Sequence, residues 1–357
     1  MPTLLVSDLH LGSRDGVDVL RRPPALERLV AALDGIDRLV LLGDTLEMRH
    51  GRSVDTMAVA APVLERLGAA MAGREIVLVP GNHDHAIASG WLSDGSPLGL
   101  AERCSPVRAS RWAVEIADAL APARLEVAYP GIWLRDDVYA THGHYLDPHT
   151  TLPSIERLLA GGMAKIAGPI PEQGATVNHY EAVLAPIYAW AQAAAQRAAK
   201  GYAPAGAGRS AKVWNLLNPP DGRRTWRGHA VAAALPVVMA ALNVAGIGPV
   251  RARIDGPELR RSSLAAMHEA LRRLDVRAPH VVFGHTHRAG PLDGDDRSEW
   301  GRLVNTGSWV VNGEIEGAAR NPYWPGGAVR VDADGPPVQL RLLDDLDAAA
   351  LRPPARA

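Results

Sequence analysis

A short polar cluster in the first quarter of the sequence combines residue types that bind metal ions. Residues 77–85, VLVPGNHDH, place Asn82, His83, Asp84 and His85 directly after an apolar run. Gly, Asn and Asp are also ordinary turn residues, so this stretch alone is equally compatible with a polar turn that ends a strand. The choice between a turn and a functional site depends on whether similar clusters occur elsewhere.

Four further clusters have the same character: Asp8-Leu9-His10, Gly43-Asp44, His142-Gly143-His144 and Gly284-His285-Thr286-His287. Carboxylates, amides and imidazoles are oxygen and nitrogen donors that divalent transition metals accept. Alternate histidines on an extended segment point to the same side, and neighbouring glycines allow sharp turns toward a shared pocket. The ordered set therefore predicts a metal centre, although D-x-H alone is a weak signal.

Each cluster follows a predicted strand. Apolar runs lead into the clusters, and helix-like stretches at 24–33 and 54–72 separate the first three runs. Strands alternating with helices predict a layered α/β architecture with a largely parallel sheet. In such sheets ligands bind beyond the carboxyl ends of the strands, which is where all five clusters fall.

The set resembles the calcineurin-like metallophosphoesterase superfamily, whose pattern D-x-H, G-D, G-N-H-D/E, H and G-H-x-H is present here in order. The resemblance covers residues 1 to about 145 and about 278 to 343. It implies a four-layer sandwich of two mixed β-sheets flanked by helices. We therefore predict a core formed by residues 1–149 and 278–343, a helical cap insertion over 150–277, and a disordered tail over 344–357.

The resemblance also implies two divalent metal ions and hydrolysis of a phosphoester by a hydroxide that bridges them. One ion would be held by Asp8, His10, Asp44 and His287, and the other by Asn82, His142, His285 and the same Asp44. Because imidazoles supply four of these seven ligands, we expect Mn, Fe or Zn in preference to Mg.

The remaining polar residues of the clusters receive supporting roles. The family role of His83 is general acid toward the leaving oxygen, with Asp84 holding its tautomer and raising its pKa. Glu47 is expected to orient a ligand or to pair with Arg49. Arg49, His50 and His144 are candidate substrate contacts, while His85 and His144 are also compatible with supporting or satisfied surface positions.

The predicted cap differs in charge from the rest of the chain. Residues 150–278 contain 16 Lys/Arg and 8 Asp/Glu, although the whole chain has a net charge of −1. Residues 230–250 carry no charge at all. Three interpretations stay open: helices packed inside a cap, a lid for an acyl chain or an anionic membrane surface, and a spanning helix, which the prolines and glycines disfavour. Helices are predicted over 181–200 and from 257 to 273, with a linker-like 201–208.

Several substrate classes are compatible with these features. The SDLHLG motif and a lid before the last cluster are similar to UDP-2,3-diacylglucosamine pyrophosphatases, which have Arg in place of His83. We expect a phosphodiester, pyrophosphate or phosphomonoester of a small or lipid-like molecule. The alternatives are a nucleic-acid phosphodiesterase, favoured by the basic insertion, and a non-catalytic metal-binding scaffold. The single cysteine, Cys104, and an N-terminus without a secretory pattern predict a cytoplasmic protein, with peripheral membrane contact as an option.

Overall fold

The structure, a computed structural model, describes residues 1–197, 240, 242–244, 246–247, 250, 256–311 and 321–352. The chain separates into two compact units. The first comprises Met1–His144, Tyr188–Lys200 and Arg277–Ala357, and the second comprises Tyr145–Ile187 and Gly201–Val276. Most of the predicted insertion lies in the second unit, whereas residues 188–200 group with the first.

The described residues of the first unit form eleven strands: β1 (Thr3–Val6), β2 (Arg38–Leu42), β3 (Glu75–Val79), β4 (Glu102–Cys104), β5 (Arg124–Tyr129), β6 (Gly131–Arg135), β7 (Val138–Thr141), β8 (His280–Phe283), β9 (Leu303–Asn305), β10 (Gly327–Val331) and β11 (Val338–Arg341). Seven form one sheet in the order β11-β10-β1-β2-β3-β5-β4, and four form a second in the order β6-β7-β8-β9. Strands β1, β2, β3 and β5 are parallel, as are β7, β8 and β9.

The two faces of the larger sheet are buried in different ways. Leu4 and Val6 of β1 pack in one core cluster, which includes residues of the helices, whereas Leu5 packs in another with Val282 of β8 and Ala140 of β7. Successive side chains of a strand point to opposite faces, so this division follows directly from the apolar sequence of β1. After their first residues, Thr3, Arg38 and Glu75, strands β1, β2 and β3 are entirely apolar, as expected for strands covered on both faces.

The described helices that lie wholly in the first unit are α1 (Pro23–Ala32), α2 (Ser53–Ala70), α3 (Ser89–Asp94), α4 (Pro106–Ala109), α5 (Arg111–Ala119), α9 (Arg297–Trp300) and α10 (Ala348–Leu351). Helix α5 begins where the Ser110 hydroxyl accepts a hydrogen bond from the Ala113 backbone N–H at 3.2 Å. The two mixed sheets with flanking helices confirm the predicted fold class.

Part of the predicted disordered tail is ordered. Residues 344–352 are described, Asp347 caps α10 by accepting the Ala349 N–H, and Leu351 is fully buried in the helix-facing core. Sequence reasoning missed this turn because a single apolar residue in a charged, Pro-rich segment gives little periodic signal.

The second unit is helical where the structure describes it. It contains α6 (Ile155–Ala167), the first half of α7 (Val177–Arg197) and α8 (Gly256–Arg273). These bounds confirm the helices predicted from 181 and from 257. The linker-like 201–208 and most of the uncharged 230–250 lie outside the described residues. None of the helices in the described residues combines the length with the hydrophobicity that a membrane-spanning segment needs.

Candidate metal centre

The Asp44 carboxylate stands between two groups of metal-binding side chains. Its Oδ2 lies 3.6 Å from His10 Nε2 and 3.4 Å from His142 Nε2. Its Oδ1 accepts a hydrogen bond from the His83 backbone N–H at 2.8 Å. Asp44 follows β2 immediately after Gly43, so the end of the strand delivers the carboxylate to this position. One oxygen is thereby fixed by the backbone while the other faces both groups.

The first group contains Asp8, His10 and His287, whose ligand atoms lie within 4.8 Å of one another. Asp8 Oδ1 is 3.2 Å from His287 Nε2, and His10 Nε2 is also 3.2 Å from His287 Nε2. The other Asp8 oxygen accepts hydrogen bonds from the Ser7 hydroxyl and from the His285 backbone N–H. Sequence reasoning missed the orienting role of Ser7, which nothing in the S-D-L-H motif indicates by residue type alone.

The second group contains Asp44, His142 and His285, again within 4.8 Å. Asn82 joins it, because its Oδ1 lies 3.1 Å from both His142 Nε2 and His285 Nδ1. His142 Nδ1 is 3.0 Å from the Leu42 carbonyl and donates to it, which leaves Nε2 as the free ligand atom. All seven predicted ligands are therefore brought together at strand ends.

The donor set fits divalent cations. Asp8 Oδ1 is buried and makes no hydrogen bond with any described residue. His142 Nε2, with its lone pair, points toward the carboxylate oxygen of Asp44, an arrangement of two acceptors that repel unless a proton or a cation lies between them. Hydrogen bonding alone would favour Asn82 with its amide nitrogen inward. Coordination of a cation requires the oxygen inward, and we adopt that orientation because the other buried acceptors converge on the same space.

The pKa values point to the same demand for positive charge. Burial disfavours protonation of His10, but its hydrogen bond to Glu47 and the charge of Asp44 prevail and raise its pKa to about 9. Burial likewise opposes protonation of His142, yet Asp44 raises its pKa to about 10. Burial would raise the pKa of Asp8, but the charge of His287 brings it down to about 2. The Asp8 and Asp44 carboxylates are therefore ionised at neutral pH. Their negative charge attracts a cation that the neighbouring imidazoles can also bind.

Most of the ligands occupy a strained backbone conformation. Among the described non-glycine residues, six have positive φ, and five of them are the predicted ligands Asp8, His10, Asp44, His285 and His287, with φ between 44° and 67°. Non-glycine residues adopt this region at a cost and persist there mainly at functional sites. At Gly81 an added Cβ would collide with the Asp44 carboxylate, which explains the glycine before Asn82.

Glu47, and not Asp84, is the carboxylate partner of His83. Glu47 is buried, and its Oε2 lies 2.8 Å from His83 Nδ1 and 3.0 Å from His10 Nδ1. Asp84 instead accepts hydrogen bonds from the backbone N–H groups of Gly81, Thr45 and Leu46. The prediction that Asp84 orients His83 is therefore wrong: its carboxylate is turned away into the loops and holds their backbones in place.

The direction of the His83 pKa also differs from the prediction. Burial lowers it, and the charge of Glu47 opposes burial without overcoming it. Burial raises the pKa of Asp84 to about 6, with a further contribution from the charge of Asp44. The sequence did contain a signal for Glu47, because the motif G-D-x-x-E places it three residues after Asp44. Without the fold, however, the sequence could not show whether Glu47 or Asp84 is the partner of His83.

The three predicted substrate contacts differ in exposure. His50 Nδ1 lies 3.5 Å from Glu47 Oε2, and the side chain is 24% exposed. The Arg49 guanidinium lies over the Tyr188 ring at 5.9 Å. His144 is 1% exposed and contacts the rings of His142 and Tyr188. His144 is therefore as buried as most of the predicted ligands themselves and packs beside His142.

Comparison with known proteins agrees with the motifs. Residues 1–165 match the family model described as calcineurin-like phosphoesterase. No curated protein matches. Among solved structures, the chain is similar to a dimetal phosphatase from Danio rerio, with 15% identity over 96% of this chain and 99% of that chain and a TM-score of 0.38. It is also similar to a cold-active protein-tyrosine phosphatase of a psychrophile Shewanella sp., with 12% identity, 93% and 75% coverage, and a TM-score of 0.27.

The family match confirms the relationship that the motifs predict, and with it the assignment of the protein as a metal-dependent phosphohydrolase.

Proposed function

We propose that this metal-dependent phosphohydrolase uses two divalent ions bridged by Asp44, with His83 as the proton donor to the leaving oxygen. The first ion would be held by Asp8, His10, His287 and Asp44, and the second by Asn82, His142, His285 and Asp44. The observation that carries the proposal is the position of Asp44 Oδ2, within 3.6 Å of imidazole nitrogens from both groups.

A pair of divalent ions supplies a nucleophile that is available at neutral pH and charge that stabilises the phosphoryl oxygens. The chain contributes the geometry. The Leu42 carbonyl fixes the tautomer of His142, and the Glu47 carboxylate fixes that of His10, so both rings present Nε2 to the centre. Ser7 and the backbone of His285 hold one oxygen of Asp8, leaving the other free to bind.

The metals are proposed to be Mn, Fe or Zn. Four of the seven ligands are imidazoles, and imidazole suits these ions better than Mg, which prefers six oxygen ligands. The neutral donors also matter for the substrate, because Asn82 and the histidines leave the loaded centre with a net positive charge. A phosphoester anion is attracted to such a centre.

The proposed role of His83 rests on its position beside the metal ligands. Its ring lies edge-on to His10, with centroids 4.6 Å apart, and its Nδ1 is held by Glu47. With Nδ1–H donated to the carboxylate, Nε2 is the atom available for proton exchange. A side chain held in this way meets the geometric requirement for general acid–base catalysis, because orientation precedes proton transfer.

Metal analysis of Asp44→Ala tests the two-ion centre. Wild-type protein purified without chelator should contain about two transition-metal ions per chain, while Asp44→Ala should lose both, since each ion loses its shared ligand. His179→Ala serves as the control, because His179 is exposed and bonds within its own helix terminus to Thr176. Full activity with Mg alone and no bound transition metal would contradict the proposed centre.

The substrate is proposed to be a phosphodiester, pyrophosphate or phosphomonoester of a small or lipid-like molecule. The excess of basic residues in 150–278 and the apolar 230–250 support an amphiphilic anion. Comparing bis-p-nitrophenyl phosphate with p-nitrophenyl phosphate would set the esterase class. Testing acylated substrates against their soluble headgroups and against single-stranded oligonucleotides would then separate the lipid-like from the nucleic-acid substrate. Equal rates on acylated and soluble forms would count against the lipid-like class.

A further inference from the structure

A cavity of about 360 Å³ lies within the second unit, formed entirely by residues of that unit. Its volume is near the lower end of the range of ligand pockets, roughly 300–1,000 Å³. The lining combines apolar side chains with a few charged or polar ones, including Ile170, Val183, His149, Arg157, Glu269 and Arg273. Such a mixture is typical of sites where a few polar groups orient an otherwise apolar ligand.

Arg157 is the unusual member of this lining. Only 5% of the residue is exposed, and its Nε donates to the Thr150 carbonyl at 2.9 Å. Among the described residues, no carboxylate forms an ion pair with its guanidinium. Burial lowers the pKa of Arg157, and no charged neighbour offsets that effect. A buried cation without a counter-ion is costly, so a guanidinium kept at a cavity wall indicates that an anion completes the site.

The other charged groups of the lining are paired: Glu269 accepts hydrogen bonds from Arg273 and also from Arg272, whose side chain is 54% exposed. Arg273 Nε donates to Glu269 Oε1 at 2.7 Å, and Arg273 Nη1 donates to the Ile170 carbonyl at 2.8 Å. Burial lowers the pKa of His149 to about 4, and the charge of Arg273 adds to the effect, so His149 is neutral at pH 7. Among the described lining residues, Arg157 and Arg273 are positive and Glu269 is negative, so the lining has one positive charge in excess, and Arg157 is the cation without a carboxylate partner.

Close packing around Gly161 holds the guanidinium in place. Gly161 follows Arg157 by one helical turn in α6, and a Cβ at Gly161 would lie 2.7 Å from the Ile247 carbonyl oxygen and 3.0 Å from Arg157 Nη1. A larger residue at this position would displace the guanidinium or the Ile247 backbone. Apolar walls and one excess positive charge together define the chemistry of the ligand: a single negative charge on an apolar body.

We propose that this cavity binds an amphiphilic monoanion, whose carboxylate or phosphodiester head pairs with Arg157 while its apolar body lies along Ile170 and Val183. The metal ligands, His83 and Glu47 all belong to the other unit, so the site adds a second binding function to the chain and does not depend on the proposed hydrolysis. An anion-specific pocket of this kind suits recognition of a lipid-derived acid or diester.

Calorimetric titration of the full-length protein tests the proposal with four probes: decanoate, dibutyl phosphate, decanol and inorganic phosphate. Decanoate or dibutyl phosphate should bind, and the better of the two identifies the head group. Decanol and inorganic phosphate should bind roughly 10- to 100-fold more weakly, since one lacks the charge and the other the apolar body. Arg157→Gln should weaken binding of the anionic probe by the same factor, whereas Arg157→Lys should retain part of it.

Three further variants serve as controls for this titration. Ala164→Leu fills the cavity without altering the charge and should abolish binding even if Arg157→Gln folds poorly. Arg261→Gln removes an arginine of α8 whose side chain is 48% exposed and should leave binding unchanged. Asp44→Ala should also bind normally. Loss of binding in Asp44→Ala with retention in Arg157→Gln would assign the carboxylate to the metal centre, and equal affinity for decanoate and decanol would show that Arg157 recognises no anion; either result overturns the proposal.

Discussion

The buried carboxylate of Glu47 should be the most informative single position in the metal centre, because it contacts both a proposed ligand and the proposed proton donor. Its Oε2 lies 3.0 Å from His10 Nδ1 and 2.8 Å from His83 Nδ1, and its Oε1 lies 2.9 Å from the same His83 nitrogen. Both rings donate an N–H to this carboxylate when their Nε2 atoms face the centre. Glu47→Gln keeps the size of the side chain and removes its charge.

The size of the effect follows from counting acceptors. A glutamine has one acceptor oxygen, and its amide nitrogen would face at least one ring N–H, so at least one charged hydrogen bond is lost inside the protein. Such a bond contributes about 1.5–3 kcal/mol, which corresponds to roughly 10- to 100-fold. Substitution of a residue that holds a metal ligand in place typically lowers metal affinity or activity by a similar factor, about 10- to 100-fold.

The two consequences can be measured separately. Metal affinity, determined by competition with a chelator, reports the contact with His10, and kcat for an ester with a poor leaving group reports the contact with His83. In a His83→Ala background, Glu47→Gln should still weaken metal binding but should cause little further loss of kcat, because contacting residues are not additive. Glu27→Gln, at an exposed carboxylate paired with Arg66, is the matched control. Unchanged metal affinity and unchanged kcat in Glu47→Gln would refute this account of the site.

Two further predictions concern histidines in different units. His83→Ala should retain both metal ions and lose roughly 100-fold or more in rate, with a smaller loss for p-nitrophenyl than for phenyl esters; loss of metal, or equal losses for both esters, would contradict a general acid. The lowered pKa of His149, about 4 instead of 6.5, means that it stabilises the fold fully above pH 6.5 and that this contribution is lost as the pH falls toward 4. With chelator present, wild type should therefore lose about 1–3 kcal/mol more than His149→Gln in unfolding free energy between pH 6.5 and 4, and equal losses would show that His149 titrates normally.

Strand positions and strand-end chemistry could be predicted from the sequence because they depend on local patterns. The run of Val77, Leu78 and Val79 has no polar position, which indicates a strand covered on both faces, and the structure buries all three. Parallel strands then bring their carboxyl ends to one edge. Asp8, Asp44 and Asn82 follow three adjacent strands, so their convergence required no knowledge of side-chain orientation.

The partner of His83 could not be predicted in the same way. Asp84 is its neighbour in sequence, but the turn after β3 directs the Asp84 carboxylate toward three backbone N–H groups. Glu47 reaches His83 from a different loop, 36 positions away in the sequence. Which of two nearby carboxylates meets an imidazole depends on the turn geometry of both loops, and short polar motifs do not specify that geometry.

The metal centre also shows why the ordinary backbone preferences of residues do not predict the conformation of the ligands. Five ligands adopt positive φ, a conformation that Asp and His tolerate only at a cost. Asp8 Oδ1 is buried without a hydrogen bond to any described residue, and His142 Nε2 faces the Asp44 carboxylate at 3.4 Å. Each feature destabilises the chain on its own. A bound cation would offset both, because it would neutralise the converging acceptors and its binding free energy would stabilise the backbone conformation that directs them inward. Backbone strain and buried acceptors without donors therefore occur at the same place, and both indicate the candidate metal centre independently of any sequence motif.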